Sequence, residues 1–180
     1  MRFSQIRKMD VANGNGIGVS LYTQGCSHRC AHCFNPETWD FEGGQEFTQE
    51  TQNTILDLLD QSYVDHFSIL GGEPLEPQNT YPLACLISKI KSEHPHIKIW
   101  LWTGYTWETL QETIRTTDRA KYLEYILENI DYLIDGPFIQ EQKDLTLSWR
   151  GSRNQRIIKS AESMKLNEKY FTDSYMILAD

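Results

Sequence analysis

Three of the four cysteines crowd into eight residues, Cys26, Cys30 and Cys33, while Cys85 stands alone. The spacing C-x-x-x-C-x-x-C lets one short loop fold three thiolates around a single metal centre, and clustered thiols in a reducing compartment bind metal or do redox chemistry more often than they staple a chain. Three ligands leave a position open. A structural zinc normally takes four ligands, whereas an iron–sulfur cubane held by three thiolates keeps one iron free for an outside ligand. The zinc alternative would recruit His28 or His32 from the same loop. Structural zinc sites, however, usually draw their ligands as two separated pairs, and the sequence has no second pair. Cys85 falls off the apolar stripe of its helix and reads as a packed or partly exposed helix cysteine.

A second motif, Gly71-Gly72-Glu73-Pro74, ends a strand pattern. Two glycines let backbone groups approach a ligand closely, because no Cβ intervenes, and Pro74 suits a tight turn. Beside a metal centre with an open iron, the same turn offers carbonyls and the Glu73 carboxylate as acceptors for a ligand ammonium.

The elements that must position these motifs alternate along the chain. Val19-Ser20-Leu21-Tyr22 has the period of a strand and runs into the cysteine loop. Thr48 is an N-cap for a helix with Ile55, Leu58 and Leu59 on one face. The strand at residues 66–70 precedes a helix whose Leu83, Leu86, Ile87 and Ile90 form an apolar stripe. A strand at residues 97–102 precedes a helix capped by Thr106. A further helix carries Tyr122, Leu123, Ile126, Leu127 and Ile130, residues 131–135 form a fourth strand, and residues 156–159 form a possible fifth.

Strands separated by helices imply parallel pairing through crossovers, so the fold class is α/β. Four or five strands are too few for an eight-stranded barrel. An open partial (β/α) barrel or open sheet of mostly parallel strands is expected, as one domain over residues 1–180 with its core at about 15–160. Functional groups then gather at the carboxyl ends of the strands, where Cys26, Gly72, Glu73, Thr103 and Asp135 stand. The segment from Lys165 onward is an added element or a docked tail.

Composition narrows the function classes. Of the 180 residues 39% are hydrophobic, enough apolar side chain for a folded core. With 17 Lys+Arg against 25 Asp+Glu, the net charge of −8 argues against a protein built to grip nucleic acid. No apolar run has the length of a membrane span, and the first residues lack that of a secretory signal, so a cytoplasmic location is expected. Gly14, Gly16 and Gly18 precede a strand rather than linking strand to helix, which removes a dinucleotide-loop reading.

Together, residues 26–33 and 71–74 resemble the radical S-adenosylmethionine superfamily, in which three cysteines hold a 4Fe–4S cluster. The likeness narrows through Val11-Ala12-Asn13-Gly14, Thr38-Trp39, Trp102-Thr103-Gly104-Tyr105, Asp135-Gly136-Pro137-Phe138 and Trp149-Arg150-Gly151-Ser152-Arg153-Asn154-Gln155. These are similar to the branch that activates anaerobic ribonucleoside-triphosphate reductase, over about residues 3–158.

The resemblance implies that Cys26, Cys30 and Cys33 ligate iron and that Gly72 and Glu73 receive the methionine ammonium. It puts His32, Cys33 and Phe34 on the adenine side, and Thr103 and Asp135 near the ribose or methionine portions. His32 stands where many relatives have an aromatic or small residue, and Pro137 where some have lysine. The implied reaction is reductive cleavage of S-adenosylmethionine, followed by removal of a hydrogen atom from a glycine of the reductase large subunit. A flavodoxin or ferredoxin is the implied electron donor. Arg150, Arg153 and Asn154 form a donor-rich cluster suited either to solvent or to partner docking. The alternatives are a radical enzyme acting on pyruvate formate-lyase or a small heterocycle, or a zinc-stabilised interaction module without catalysis.

Overall fold

The computed structural model describes residues 1–117 and 120–166. The strands are β1 (Arg2–Asp10), β2 (Gly18–Thr23), β3 (Gln45–Glu46), β4 (His66–Gly71), β5 (Lys98–Trp102), β6 (Tyr132–Asp135) and β7 (Arg156–Lys159). The helices are α1 (Gln49–Leu59), α2 (Pro77–Glu93), α3 (Trp107–Thr116), α4 (Ala120–Asn129) and α5 (Ser160–Leu166). All seven strands form one open sheet in the order β3-β1-β2-β4-β5-β6-β7.

The four central strands β2, β4, β5 and β6 are parallel, with one or two helices in each connection between them. The flanking pairs β1/β2, β1/β3 and β6/β7 are antiparallel. The sheet thus departs from the sequence expectation at its margins. Strand β1 carries buried side chains only at Phe3 and Asp10, so the alternation that marks a strand is missing from its sequence. Strand β7 is where expected, but Asp135 pairs with Arg156 and the two strands run in opposite directions.

Local chemistry accounts for the helix starts. Thr48 accepts a hydrogen bond from the Thr51 amide, and the Thr51 hydroxyl accepts one from the Thr48 amide, closing a capping box on α1. Thr106 caps α3 in the same sense through the Thr109 amide.

Side-chain alternation then divides the sheet into two unlike faces. Val19, Leu21, Phe67, Ile69, Ile99, Leu101, Leu133 and Ile158 share one apolar core with Ile55, Leu59, Leu83, Ile87, Leu110 and Ile126 from the helices. The helices α1 to α4 therefore cover a single face. The intervening residues point the other way: Trp100, Tyr132, Ile134 and Ile157 form a second cluster, joined by Trp102 and Trp149. Register aligns Thr23 with Gly71, and Trp102 with Ile134, so the carboxyl ends of the parallel strands meet along one rim. The described part of the segment from Lys165 onward ends α5, and the expectation for residues 167–180 lies outside the described residues. Among the described residues, no helix is long and apolar enough to cross a membrane.

Candidate metal and nucleotide site

A cavity of about 490 Å³ opens on the face away from the helices and reaches the rim. Cys26, Cys30, Cys33, Gly72, Glu73 and Thr103 all line it. The structure thus brings together the three thiols, the glycine turn and the end of β5 from three separate parts of the chain.

The cysteine loop follows β2 directly. Arg29 (φ 46) and His32 (φ 57) take left-handed backbone conformations that wind it back on itself, and the Cys33 amide donates to the Cys30 carbonyl at 3.2 Å. All three cysteines are free thiols, Cys26 buried and the others half-buried. Burial pushes the Cys26 thiol up to about 11, against backbone hydrogen bonds from His28 and Arg29. Burial raises Cys30 as well, and the Asn35 amide donates to the Cys33 sulfur at 3.4 Å. A metal centre would displace those protons, since the thiolate is the ligand.

Among the described residues no three His, Cys, Asp or Glu side chains stand close enough to hold one metal ion. Thiolates on one tetrahedral zinc stand roughly 3.8 Å apart, given a Zn–S bond of about 2.3 Å. A cubane seats each thiolate on a different iron, and all three thiols line the cavity where such a cluster would sit. Of the two histidines offered by the zinc alternative, one lies against a carboxylate and the other stands outside the cavity lining. His32 is exposed and outside the cavity lining. His28 has its Nε2 3.2 Å from Glu73 Oε2, and the hydrogen bond to that carboxylate raises the imidazole pKa against the opposing effect of burial.

The glycine turn is built into the same loop. The Gly72 amide donates to the Thr23 carbonyl at 2.9 Å and the Glu73 amide to the Gly25 carbonyl at 2.8 Å. A Cβ on Gly72 would stand 2.5 Å from the Gly25 oxygen, so only glycine allows this approach.

Glu73 is 1% exposed. Its Oε1 accepts from the Leu75 amide at 2.9 Å and the Thr103 hydroxyl at 2.8 Å, and its Oε2 from the Gly104 amide at 2.8 Å. The carboxylate therefore locks the end of β5 to the glycine turn. Thr103 also accepts from the Tyr105 amide at 3.1 Å, so its hydroxyl is engaged in both directions.

Asp135 is set apart from this group. Fully buried, it accepts from the Trp107 amide at 2.7 Å and pairs with Arg156 through both carboxylate oxygens, and it does not line the cavity. Arg156 bridges on to Glu108, tying β6 and β7 to α3. Phe34 lines the cavity while 57% exposed, tilted against Phe138 at 4.9 Å. Cys85 lies exposed on α2, away from the cavity lining.

Tyr22, Asn13, Trp39 and Trp149 also line the cavity and were not expected at the site, although the last three stand in motifs that carried the likeness. For Tyr22 the signal was present: it alternates with Leu21, and a residue facing away from a helix-covered core faces the site. The Arg150, Arg153 and Asn154 cluster divides. Arg150 lines the cavity, Arg153 is exposed and 3.8 Å from Asp144, and Asn154 donates to the Pro137 carbonyl at 2.7 Å.

Comparison with known proteins agrees with this geometry. Residues 12–158 match a family model described as a 4Fe-4S single cluster domain. The chain is 38% identical to the anaerobic ribonucleoside-triphosphate reductase-activating protein of Vibrio cholerae, over 87% of this chain and 97% of that one. It is 36% identical to the protein of the same name from Escherichia coli K12, over 86% of this chain and 96% of that one. The phage T4 protein of that name is 36% identical over 91% of this chain and 97% of its own length. At 36–38% identity over most of both chains, the chain belongs to the family of anaerobic ribonucleoside-triphosphate reductase-activating proteins.

Proposed function

We propose that this chain is a radical S-adenosylmethionine activating enzyme that generates the glycyl radical of an anaerobic ribonucleoside-triphosphate reductase. The observation that carries the reading is the shared cavity, lined by three free thiols and by the glycine turn. A 4Fe–4S cluster with S-adenosylmethionine, held there by those thiols, would supply the electron for reductive carbon–sulfur cleavage and the radical chemistry that removes a glycine hydrogen from the reductase large subunit.

The residues of this chain bind and aim. Cys26, Cys30 and Cys33 hold the cluster after losing their protons. Gly72 receives the methionine ammonium, while Glu73 fixes the turn and supplies negative charge next to it. Phe34, with the backbone of His32 and Cys33, meets the adenine. Thr103 offers the wall for the ribose or methionine portion, and Asp135 acts from behind by anchoring α3 and Arg156. The cavity encloses the reactive carbon, and its open mouth admits the partner's glycine loop.

The open sheet with helices on one face is read as a shortened partial (β/α) barrel of the radical S-adenosylmethionine type, one domain over residues 1–180. A cytoplasmic location and a flavodoxin- or ferredoxin-type donor complete the proposal. Anaerobic incubation of the reconstituted protein with S-adenosylmethionine, a reductant and the reductase large subunit should give a glycyl doublet in electron paramagnetic resonance. A doublet formed on pyruvate formate-lyase and not on the reductase would assign a different substrate.

A further inference from the structure

Residues 149–155 run along the cavity, where Trp149, Arg150, Gly151 and Gln155 line it, and they tie together parts of the chain that the sheet holds apart. Trp149 takes a left-handed backbone conformation (φ 59), unusual for a bulky side chain. Its indole Nε1 donates to the Gly14 carbonyl at 2.9 Å, 135 residues away in sequence. Its own carbonyl accepts from Trp102 Nε1 at 2.7 Å, and its ring packs on Trp100 at 5.0 Å.

The rest of the segment is fixed at both ends. Gln155 Oε1 accepts from the amides of Gly151 and Ser152, and its Nε2 donates to the Gly136 carbonyl just beyond β6. Gly151 lies so close to the residue after Cys33 that a Cβ on it would stand 2.9 Å from the Phe34 ring. One segment thereby joins the exit of β6, the loop before β2 and the end of the cysteine loop. The sheet itself separates β2 from β6 by β4 and β5.

We propose that Trp149 is a positioning residue whose indole closes the flank of the cavity and so keeps small solutes from the carbon radical before it reaches the partner glycine. This rests on the activating function proposed above and assigns to it a device that governs coupling. Trp149 touches neither electron nor hydrogen transfer. A leak is a second hydrogen donor reaching the same carbon: a solute thiol gives its hydrogen atom to the 5′-carbon, forming 5′-deoxyadenosine and a thiyl radical in place of the glycyl radical.

The test is Trp149→Phe, which keeps an aromatic ring and removes the donor to Gly14. Trp102→Phe, which frees the Trp149 carbonyl, serves if the first variant does not fold. In metal-free full-length protein, iodoacetamide alkylation of Cys26 is read against that of Cys85, the exposed thiol outside the cavity. The ratio should rise about fivefold, the change that loss of one hydrogen bond worth about 1 kcal/mol allows.

In reconstituted protein with the reductase and added dithiothreitol in D₂O, the variant should release more 5′-deoxyadenosine per glycyl radical. That nucleoside should carry deuterium from the thiol, while wild type shows little. An unchanged alkylation ratio, or unchanged coupling despite a raised ratio, overturns the inference. Should wild type form no glycyl radical on the reductase, the functional reading fails separately, and the alkylation ratio alone decides whether Trp149 closes the flank.

Discussion

The two faces of the sheet come from the same strands, yet they carry opposite kinds of chemistry. On the helix-covered face, Phe67, Ile69, Ile99, Leu101 and Leu133 are fully buried among aliphatic neighbours. On the other face the alternate residues are Ser20, Tyr22, Ser68, Trp100 and Trp102, tied together by directed polar contacts. Ser20 donates to Asp10 at 2.7 Å, Asn13 to the Tyr22 hydroxyl at 3.1 Å, and Trp102 to the Trp149 carbonyl at 2.7 Å. The period of two in a strand lets one residue build the fold and the next build the site. Changes on the two faces should accordingly separate stability from chemistry.

The largest contrast pairs Cys30→Ser with Ile69→Ala. Cys30→Ser should abolish cluster assembly and reductive cleavage, read by iron and sulfide analysis and 5′-deoxyadenosine release. The half-exposed position should leave the unfolding midpoint nearly unchanged. Ile69→Ala should cost about 2–5 kcal/mol in denaturant unfolding, as emptied aliphatic core positions do, while the folded fraction keeps its thiol loop. If Cys30→Ser unfolded the protein, or Ile69→Ala left stability untouched, the division between faces would fail.

Glu73→Gln sits where the two regions join. The amide can accept from only one of its two atoms, so the donors from Leu75, Thr103 and Gly104 can no longer all be satisfied. A loss of about 1–3 kcal/mol is expected, together with weaker S-adenosylmethionine binding measured by calorimetry. Stability falling without any change in nucleotide binding would confine Glu73 to the fold.

His66→Gln probes the smallest effect. The ring is fully buried on the site face, and burial lowers its pKa from the ordinary 6.5. The unfolded chain then takes up a proton that the folded chain resists, so stability is full above 6.5 and declines as pH falls towards the lowered folded value. Wild type should lose stability on acidification through that window, and the variant should show a flatter profile by denaturant unfolding.

These contrasts also explain what the sequence revealed. The central strands were legible because Val19/Leu21 and Ile99/Leu101 alternate with their neighbours, and α1 and α3 because Thr48 and Thr106 are capping residues. Strand β1 was not, since an edge that buries only Phe3 and Asp10 leaves no alternation to read. The thiol loop and glycine turn were legible from residue type and spacing. Asp135 looked like a site residue because it ends a strand at the rim, but Arg156 and the Trp107 amide, remote in sequence, occupy its carboxylate. Trp149 stands in a block that marked the family likeness, but its place at the cavity was not legible, because it depends on a carbonyl 135 residues away.

The central claim is that Cys26, Cys30 and Cys33 hold a cluster with one iron left for a nucleotide. The direct measurement is electron paramagnetic resonance of the anaerobically reconstituted, reduced protein before and after S-adenosylmethionine is added. A 4Fe–4S signal whose shape changes on addition is the predicted result. A signal indifferent to the nucleotide, or stoichiometric zinc in place of iron and sulfide in anaerobically purified protein, would contradict it.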